Sequence, residues 1–279
     1  MEMIYTLLGS LPAAWLQHGF MQNAFLAVLL VTPLFGLLST MVVSNRMAFF
    51  SDSLGHGAFT GLALGVLLGW FSPRLSLVIF SVIFAFLITY IKSRSSASTD
   101  TIIGVFSSTG IALGLMLMSY GGGFNKFSSY LIGDLLSISP EEIRALFLVF
   151  LAVVLVWAVV FNSLLVLSIN PSFARSRGIP AFFVEALFAS VLAVVVAVSI
   201  QWVGLLIINS LLVLPAAAAR NIAQDVKGYH LLSVAIALFS GVTGLVAAYY
   251  CNMAAGATIV VVSAVVFFLT LALKPYFVR

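Results

Sequence analysis

Asp52 and His56 are the residues whose types and spacing point most directly to chemistry. Side chains four residues apart on an α-helix lie on one face, so a helix through this segment would hold a carboxylate beside an imidazole. That pair is suited to bind a borderline divalent metal ion. In the structural alternative, Asp52 caps the start of its helix and His56 bonds a neighbouring carbonyl. The two roles are compatible, because a capping side chain can also reach a pore.

The segments that must position this pair are strongly apolar. Of the 279 residues, 63% are hydrophobic and 7% are charged, whereas about a quarter of a soluble domain is charged. Such a surface suits hydrocarbon, which penalises charge, and no run alternates in the way of a membrane β-barrel. We therefore predict an all-α integral membrane protein. Loop charges that orient the chain explain its net charge of +4, so no nucleic acid partner is expected.

Runs of about 20 apolar residues, the length that crosses about 30 Å of hydrocarbon, define the predicted transmembrane helices. Asn209 and Ser210 interrupt one short run ahead of Pro215, and broken helices of this kind often line cavities. The count is therefore eight or nine. Because no room remains for a soluble domain, residues 1–279 are expected to form a single transmembrane domain. The predicted spans are 21–43, 52–70, 75–91, 101–119, 143–167, 181–203, 205–220, 231–250 and 256–273.

The loop charges predict the orientation, because loops on the inner side carry an excess of Lys and Arg. With the N-terminus outside and the C-terminus inside, nine of the 12 basic residues lie inside; the reverse orientation leaves three there. The nine are Arg46, Lys92, Arg94, Arg175, Arg177, Arg220, Lys227, Lys274 and Arg279. His56 then lies about 15 Å beyond Arg46 along the helix axis, close to the bilayer midplane, where transporter sites are commonly found.

Two further features of the predicted spans concern packing. The helix of Asp52 carries a glycine at every fourth position, and such a stripe lets a neighbouring helix approach closely. Its members are Gly57, Gly61, Gly65 and Gly69. Glu185 lies near the inner end of a later span. We expect it to pair with Arg175 or Arg177, because buried charges tend to be paired.

Two loops are longer than the others. The outer loop, 119–142, carries Asp134, Glu141 and Glu142, whose charge would attract a cation or a basic patch of a partner. The inner loop, 170–180, reads NPSFARSRGIP. Its Asn-Pro-Ser start and closing Gly-Ile-Pro favour a small docking helix over a plain positively charged anchor.

Motifs that would indicate an enzyme are missing from the sequence. It has no phosphate-binding G-x-x-x-x-G-K-[ST] loop and no HExxH motif or nucleophile elbow. We expect no catalytic residues and no cofactor bound by this chain. Its single cysteine, Cys251, excludes a metal site built from several cysteines of one chain.

Four blocks, in this order along the chain, resemble the membrane subunits of bacterial ATP-binding-cassette (ABC) importers for zinc, manganese or iron. The first, RMAFFSDSLGHGAFTGLALG at 46–65, is similar to the second-helix signature of that family. There an Arg-Met-aromatic stretch precedes Asp, three residues, His and a Gly/Ala-rich helix. The other blocks are DTIIGVFSSTGIALGL at 100–115, YLIGDLLSISPEE at 130–142 and VGLLIINSLLVLPAAAAR at 203–220.

The resemblance implies a multi-pass permease of the bacterial inner membrane that works as a homodimer. Two cytoplasmic ATP-binding subunits and an extracytoplasmic solute-binding protein would complete the importer. Asp52 and His56 of both chains would face the path of the metal ion. The inner loop resembles the coupling stretch of vitamin B12 and siderophore permeases, so the fold would be type II importer-like. Its implied coupling residues are Pro171, Ser172, Ala174, Arg175, Arg177 and Gly178.

Two alternatives come from other classes of protein. A standalone secondary cation transporter or channel would be expected to show more intramembrane carboxylates and repeat symmetry, and this sequence shows neither. A structural or assembly protein would have no need of an Asp–His pair at the midplane. The residues at 107–108 are serines, where some zinc-type relatives carry a histidine, so the resemblance leaves the metal open.

Overall fold

The computed structural model describes residues 2–10, 12–69, 72–120 and 133–277. Every regular element in these ranges is a helix, which confirms the all-α prediction. Two short 3₁₀ helices, Ala14–Gln17 and Leu135–Ser137, accompany the α-helices. The α-helices are α1 Glu2–Gly9, α2 Gly19–Ser44, α3 Ala48–Leu68, α4 Pro73–Arg94, α5 Thr99–Tyr120, α6 Pro140–Ile169, α7 Pro171–Ser176, α8 Ala181–Val203, α9 Leu205–Leu211, α10 Leu214–Ile222, α11 Val226–Cys251 and α12 Ala255–Phe277.

Seven helices within the described ranges are long and apolar enough to cross a membrane: α2, α4, α5, α6, α8, α11 and α12. Each of them coincides with a predicted span. Helix α3, which corresponds to the predicted span 52–70, is not among the seven. Its Asp52, its His56 and its many small residues lower its hydropathy.

Residues 205–220 lie in two short helices. Helix α9 ends at Leu211 and α10 begins at Leu214, with a turn between them. Pro215 lies in the first turn of α10, where its missing N–H group costs no helical hydrogen bond. The break predicted at this proline is confirmed.

The contacts between Cα atoms divide the chain into two compact units, of which the first comprises Met1–Thr40, Gly133–Ala152 and Trp202–Arg279. In this unit α11 approaches α2 so closely that a Cβ added to Gly36 would lie 2.8 Å from the Cα of Val234. The Ser233 hydroxyl donates to the Gly36 carbonyl at 2.6 Å and lies 3.0 Å from the Ser39 hydroxyl. Small residues and interhelical hydroxyl bonds are the usual means of helix association in lipid.

The second unit, Met41–Ile132 and Val153–Gln201, holds α3 against both α4 and α5. A Cβ on Gly57 would meet the ring of Phe84 at 2.6 Å, and one on Gly61 would meet the Cβ of Phe80 at 2.6 Å. A Cβ on Gly65 would lie 2.5 Å from the Cβ of Ser76. Helix α5 also meets α3 at Gly57, because a Cβ added to Gly110 would lie 3.3 Å from the Cα of Gly57. These glycines allow three helices to pack almost backbone to backbone.

Gly69 differs from the other members of the stripe, because it follows the helix and makes no close helix contact among the described residues. It follows the last residue of α3 with φ +64°, and its N–H donates to the Gly65 carbonyl. A Cβ added there would meet no atom of the described residues within 4 Å. Gly69 therefore ends the helix, because a left-handed residue at this position is a common helix terminator and glycine adopts it most readily.

We expect Gly61→Ala to destabilise the protein, because the added methyl group forces α3 and α4 apart. The matched control is Gly104→Ala on the exposed side of α5, where an added Cβ meets nothing within 4 Å. Both substitutions gain the same helix propensity, so the difference between them isolates the clash, about 1–3 kcal/mol. The measurement is the apparent melting temperature in detergent, and equal values for the two variants would contradict close packing at Gly61.

Candidate functional site

Asp52 and His56 lie side by side near the start of α3. The Nε2 atom of His56 is 3.4 Å from Oδ2 of Asp52, and the two side chains are 19% and 38% exposed, respectively. Phe49, one turn before Asp52, is 64% exposed. Most other residues in this part of α3 are buried. The helix thus has a narrow accessible stripe that carries the carboxylate and the imidazole.

The structure contradicts the alternative in which Asp52 caps its helix. Helix α3 begins at Ala48, and its N-cap residue is Met47, which makes no side-chain cap bond. The chain enters α3 through a tight turn in which Arg46 has φ +57° and the Met47 N–H donates to the Val42 carbonyl at 2.8 Å. After this backbone reversal, α3 begins one helical turn before Asp52, which the sequence pattern did not indicate. The carboxylate is therefore free of a capping duty.

The pair consists of two side chains of types that can bind a metal ion, which is fewer than a protein-built metal site needs. The described ranges contain no cluster of three or more His, Cys, Asp or Glu residues that could hold a metal ion. Zinc takes four ligands and manganese commonly six. One carboxylate and one imidazole from a single chain therefore form at most half of a tetrahedral site, and they can hold an ion only weakly.

Glu185 pairs with Lys92, so the predicted pairing with Arg175 or Arg177 is wrong. The Lys92 Nζ atom donates to Oε2 of Glu185 at 2.9 Å. Lys92 is in the last turn of α4, and Glu185 is in the second turn of α8. The Arg177 guanidinium instead lies over the ring of Phe173, 5.0 Å from its centroid. Sequence distance favoured the loop arginines, whereas the fold brings the distant lysine closer.

The inner loop contains the small helix predicted for it, α7. The Asn170 side chain caps this helix by accepting from the N–H groups of Ser172 and Phe173, each at 3.0 Å. The helix stops before Gly178, which has φ +73°. Among the predicted coupling residues Ala174 is buried, whereas Pro171, Ser172, Arg175, Arg177 and Gly178 are exposed.

Phe173 is a feature of α7 that the sequence interpretation missed. Its side chain is 47% exposed, although it is a large apolar residue in a polar loop. An aromatic residue within an otherwise polar loop was the sequence signal that could have identified Phe173. Exposed aromatic residues are enriched in protein interfaces, so Phe173 marks α7 as a candidate contact surface.

The outer loop is described only in part, because residues 121–132 lie outside the described ranges. The acidic residues that flank them have structural partners. The Ser139 N–H donates to Glu142 at 3.0 Å, and the Glu142 N–H donates back to the Ser139 hydroxyl at 3.3 Å. This reciprocal arrangement is a capping box at the start of α6. Asp134 accepts from the Leu136 N–H at 3.2 Å.

The long apolar helices, the Asp52–His56 pair and the exposed helix α7 together are typical of a multi-pass membrane protein of the transporter class. Residues 17–274 match the ABC 3 transport family, and the chain belongs to that family. It is 30% identical to the manganese import system permease protein ScaB of Streptococcus gordonii, over 92% of each chain. It is 28% identical to the high-affinity zinc uptake system membrane protein ZnuB of Buchnera aphidicola, over 87% of this chain and 94% of that one.

A solved structure resembles the whole chain. PsaBC from Streptococcus pneumoniae in complex with Fab matches with a TM-score of 0.81 and 28% identity, covering 97% of this chain and 95% of that one. The likeness therefore extends over both compact units. The suspected resemblance to metal-ion ABC permeases is confirmed.

We expect Asn170→Ala to loosen α7, because two amide groups lose their acceptor, at a cost of about 1 kcal/mol. Asn170→Asp is the matched control, since its carboxylate keeps the acceptor in place. The measurement is hydrogen exchange at the amides of Ser172 and Phe173. Exchange that stays at the wild-type rate in Asn170→Ala would contradict the cap.

Proposed function

We propose that this chain is the permease subunit of a bacterial ABC importer that moves a divalent transition metal ion, zinc, manganese or iron, into the cytoplasm. The observation that carries this proposal is the Asp52–His56 pair on the accessible stripe of α3, in a chain of the ABC 3 transport family. The named functions of relatives, manganese import and zinc uptake, support the class of cargo.

The proposed topology places the N-terminus outside, the C-terminus inside and α3 as an eighth span. Helix α3 is too polar to face lipid by itself, but its packing against α4 and α5 buries most of its surface. Only a span that is shielded in this way can carry a carboxylate into the bilayer at acceptable cost. The broken α9–α10 segment would be the ninth span of a type II importer-like fold. We retain residues 1–279 as one permease domain.

A homodimer would complete the metal site. Two side chains from each of two copies make four ligands, which suits tetrahedral zinc or, with added waters, six-coordinate manganese or iron. Each copy alone holds the ion weakly, so separation or rotation of the copies would release it. Transport needs such release, because a site that binds too tightly does not let its cargo leave.

The permease would take the free energy for transport from two separate cytoplasmic ATP-binding subunits. Helix α7 is the proposed docking element, with Phe173 as its exposed apolar contact and the loop arginines as its charged contacts. On the outer side, a solute-binding protein would deliver the ion. Asp134 and Glu141 are the proposed attractive charges there, while Glu142 also serves the capping box of α6.

We expect Asp52→Asn and His56→Ala each to abolish metal uptake while leaving folding and dimerisation intact. Each change removes a ligand, and neither removes a helix cap, because α3 begins before Asp52. The matched control is Asp225→Asn, which keeps the acceptor for the Gly228 N–H at the start of α11. The measurement is ATP-driven uptake of zinc, manganese and iron into liposomes that contain the full complex.

Uptake that survives in both variants, in a complex that still hydrolyses ATP, would make the pair structural. Uptake by the chain alone, without ATPase subunits, would instead indicate a standalone secondary cation transporter or channel.

We expect a cysteine at position 172 to react only from the cytoplasmic side. The chain has one native cysteine, the exposed Cys251 at the end of α11, which the topology places outside. Wild-type protein thus reports the outer side, and Ser172→Cys in a Cys251→Ser background reports the inner side. Protection of position 172 on addition of the ATPase subunit would support docking of α7. Labelling of position 172 from outside would overturn both the topology and the coupling role.

A further inference from the structure

The ion pair between Lys92 and Glu185 connects two helices that are distant in sequence. Lys92 is in the last turn of α4 and Glu185 is in the second turn of α8, and their charged atoms are 2.9 Å apart. The side chains are 27% and 31% exposed. Partly exposed ion pairs contribute only about 0–1 kcal/mol to stability. Stability alone is therefore a weak reason for this contact.

The ion pair lies close to the start of α3, because both share the lining of one small cavity. Lys92 and Glu185 line a small cavity together with Met47, the N-cap of α3, Phe50 in its first turn, and Thr99, the first residue of α5. Asp52 follows Phe50 by two residues, and His56 follows it by six. A shift of Glu185 relative to α4 would therefore act on the turn of α3 that precedes the candidate metal ligands.

The other side of the pair leads to α7. Helix α7 ends at Ser176 and α8 begins at Ala181, so only residues 177–180 separate the two helices. This linker contains Gly178 in a left-handed conformation and ends at Pro180. A linker this short transmits a displacement of α7 directly to the first turns of α8. All of these residues belong to the same compact unit.

We infer that Lys92 and Glu185 are positioning residues that couple α7 to the Asp52–His56 pair. The ion pair holds the beginning of α8 against the end of α4, so that movement of α7 reaches α3. This role rests on the proposed function, since it requires an ATPase subunit that moves α7. Small sliding movements of packed helices are a common form of such coupling.

The test compares metal uptake with ATP hydrolysis in the full complex reconstituted in liposomes. We expect Lys92→Met and Glu185→Gln each to reduce uptake about tenfold, a typical size for coupling between contacting residues, while ATP hydrolysis continues at the wild-type rate. The matched control is Arg94→Met, which removes a cation at the same end of α4. The Arg94 guanidinium lies 5.8 Å from the centroid of the Tyr90 ring, and its loss should leave uptake unchanged.

The charge-swapped variant, Lys92→Glu with Glu185→Lys, separates pairing from folding. We expect its uptake to exceed that of either single variant without reaching the wild-type rate. Recovery is incomplete because a glutamate at position 92 opposes the dipole at the C-terminal end of α4.

Wild-type uptake in the single variants, an equal fall of uptake and ATP hydrolysis, or no recovery in the charge-swapped variant would each overturn the inference. These results differ from a failure of the proposed function, in which the wild-type complex itself takes up no metal.

Discussion

The close approach of α3 to α4 and α5 is the constraint on which the second unit depends. Gly57, Gly61 and Gly65 leave no room for a Cβ between α3 and α4, and Thr60 donates a hydrogen bond to the Gly110 carbonyl of α5 at 2.6 Å. Packing of this kind hides a helix that is too polar to meet lipid by itself. It also leaves one narrow stripe uncovered, and that stripe holds the carboxylate and the imidazole.

Much of this arrangement could be predicted from sequence, because it follows from local patterns. Apolar runs locate the seven long helices, the spacing of Asp52 and His56 places them on one face, and Asn-Pro-Ser marks the start of α7. The sequence pattern gave a wrong answer where tertiary contacts or backbone geometry determine a helix start or an ion-pair partner. Helix α3 starts earlier than its apolar run because of the turn at Arg46. Glu185 forms its ion pair with Lys92, which is 93 residues away in sequence.

The fold and the family both indicate that this chain forms the transmembrane part and that ATP would be bound by another subunit. In the proposed function the chain would provide a path and two ligands for a metal ion, and its sequence lacks the phosphate loop that would bind ATP. An incomplete site is a useful property in such a protein, since a conducting site must release its cargo as readily as it accepts it. Selectivity among metals would then depend on how two copies meet, as well as on the identity of the ligands.

Arg46 shows a conflict between backbone and charge. Its φ of +57° is the left-handed conformation that costs a residue with a side chain about 1–2 kcal/mol, and glycine would adopt it more easily. An arginine at this turn instead supplies a cation at the predicted inner boundary of the bilayer. Laboratory selection for heat resistance alone would favour glycine here, whereas selection for correct insertion would retain the arginine. Directed evolution of this protein should therefore monitor both properties at position 46.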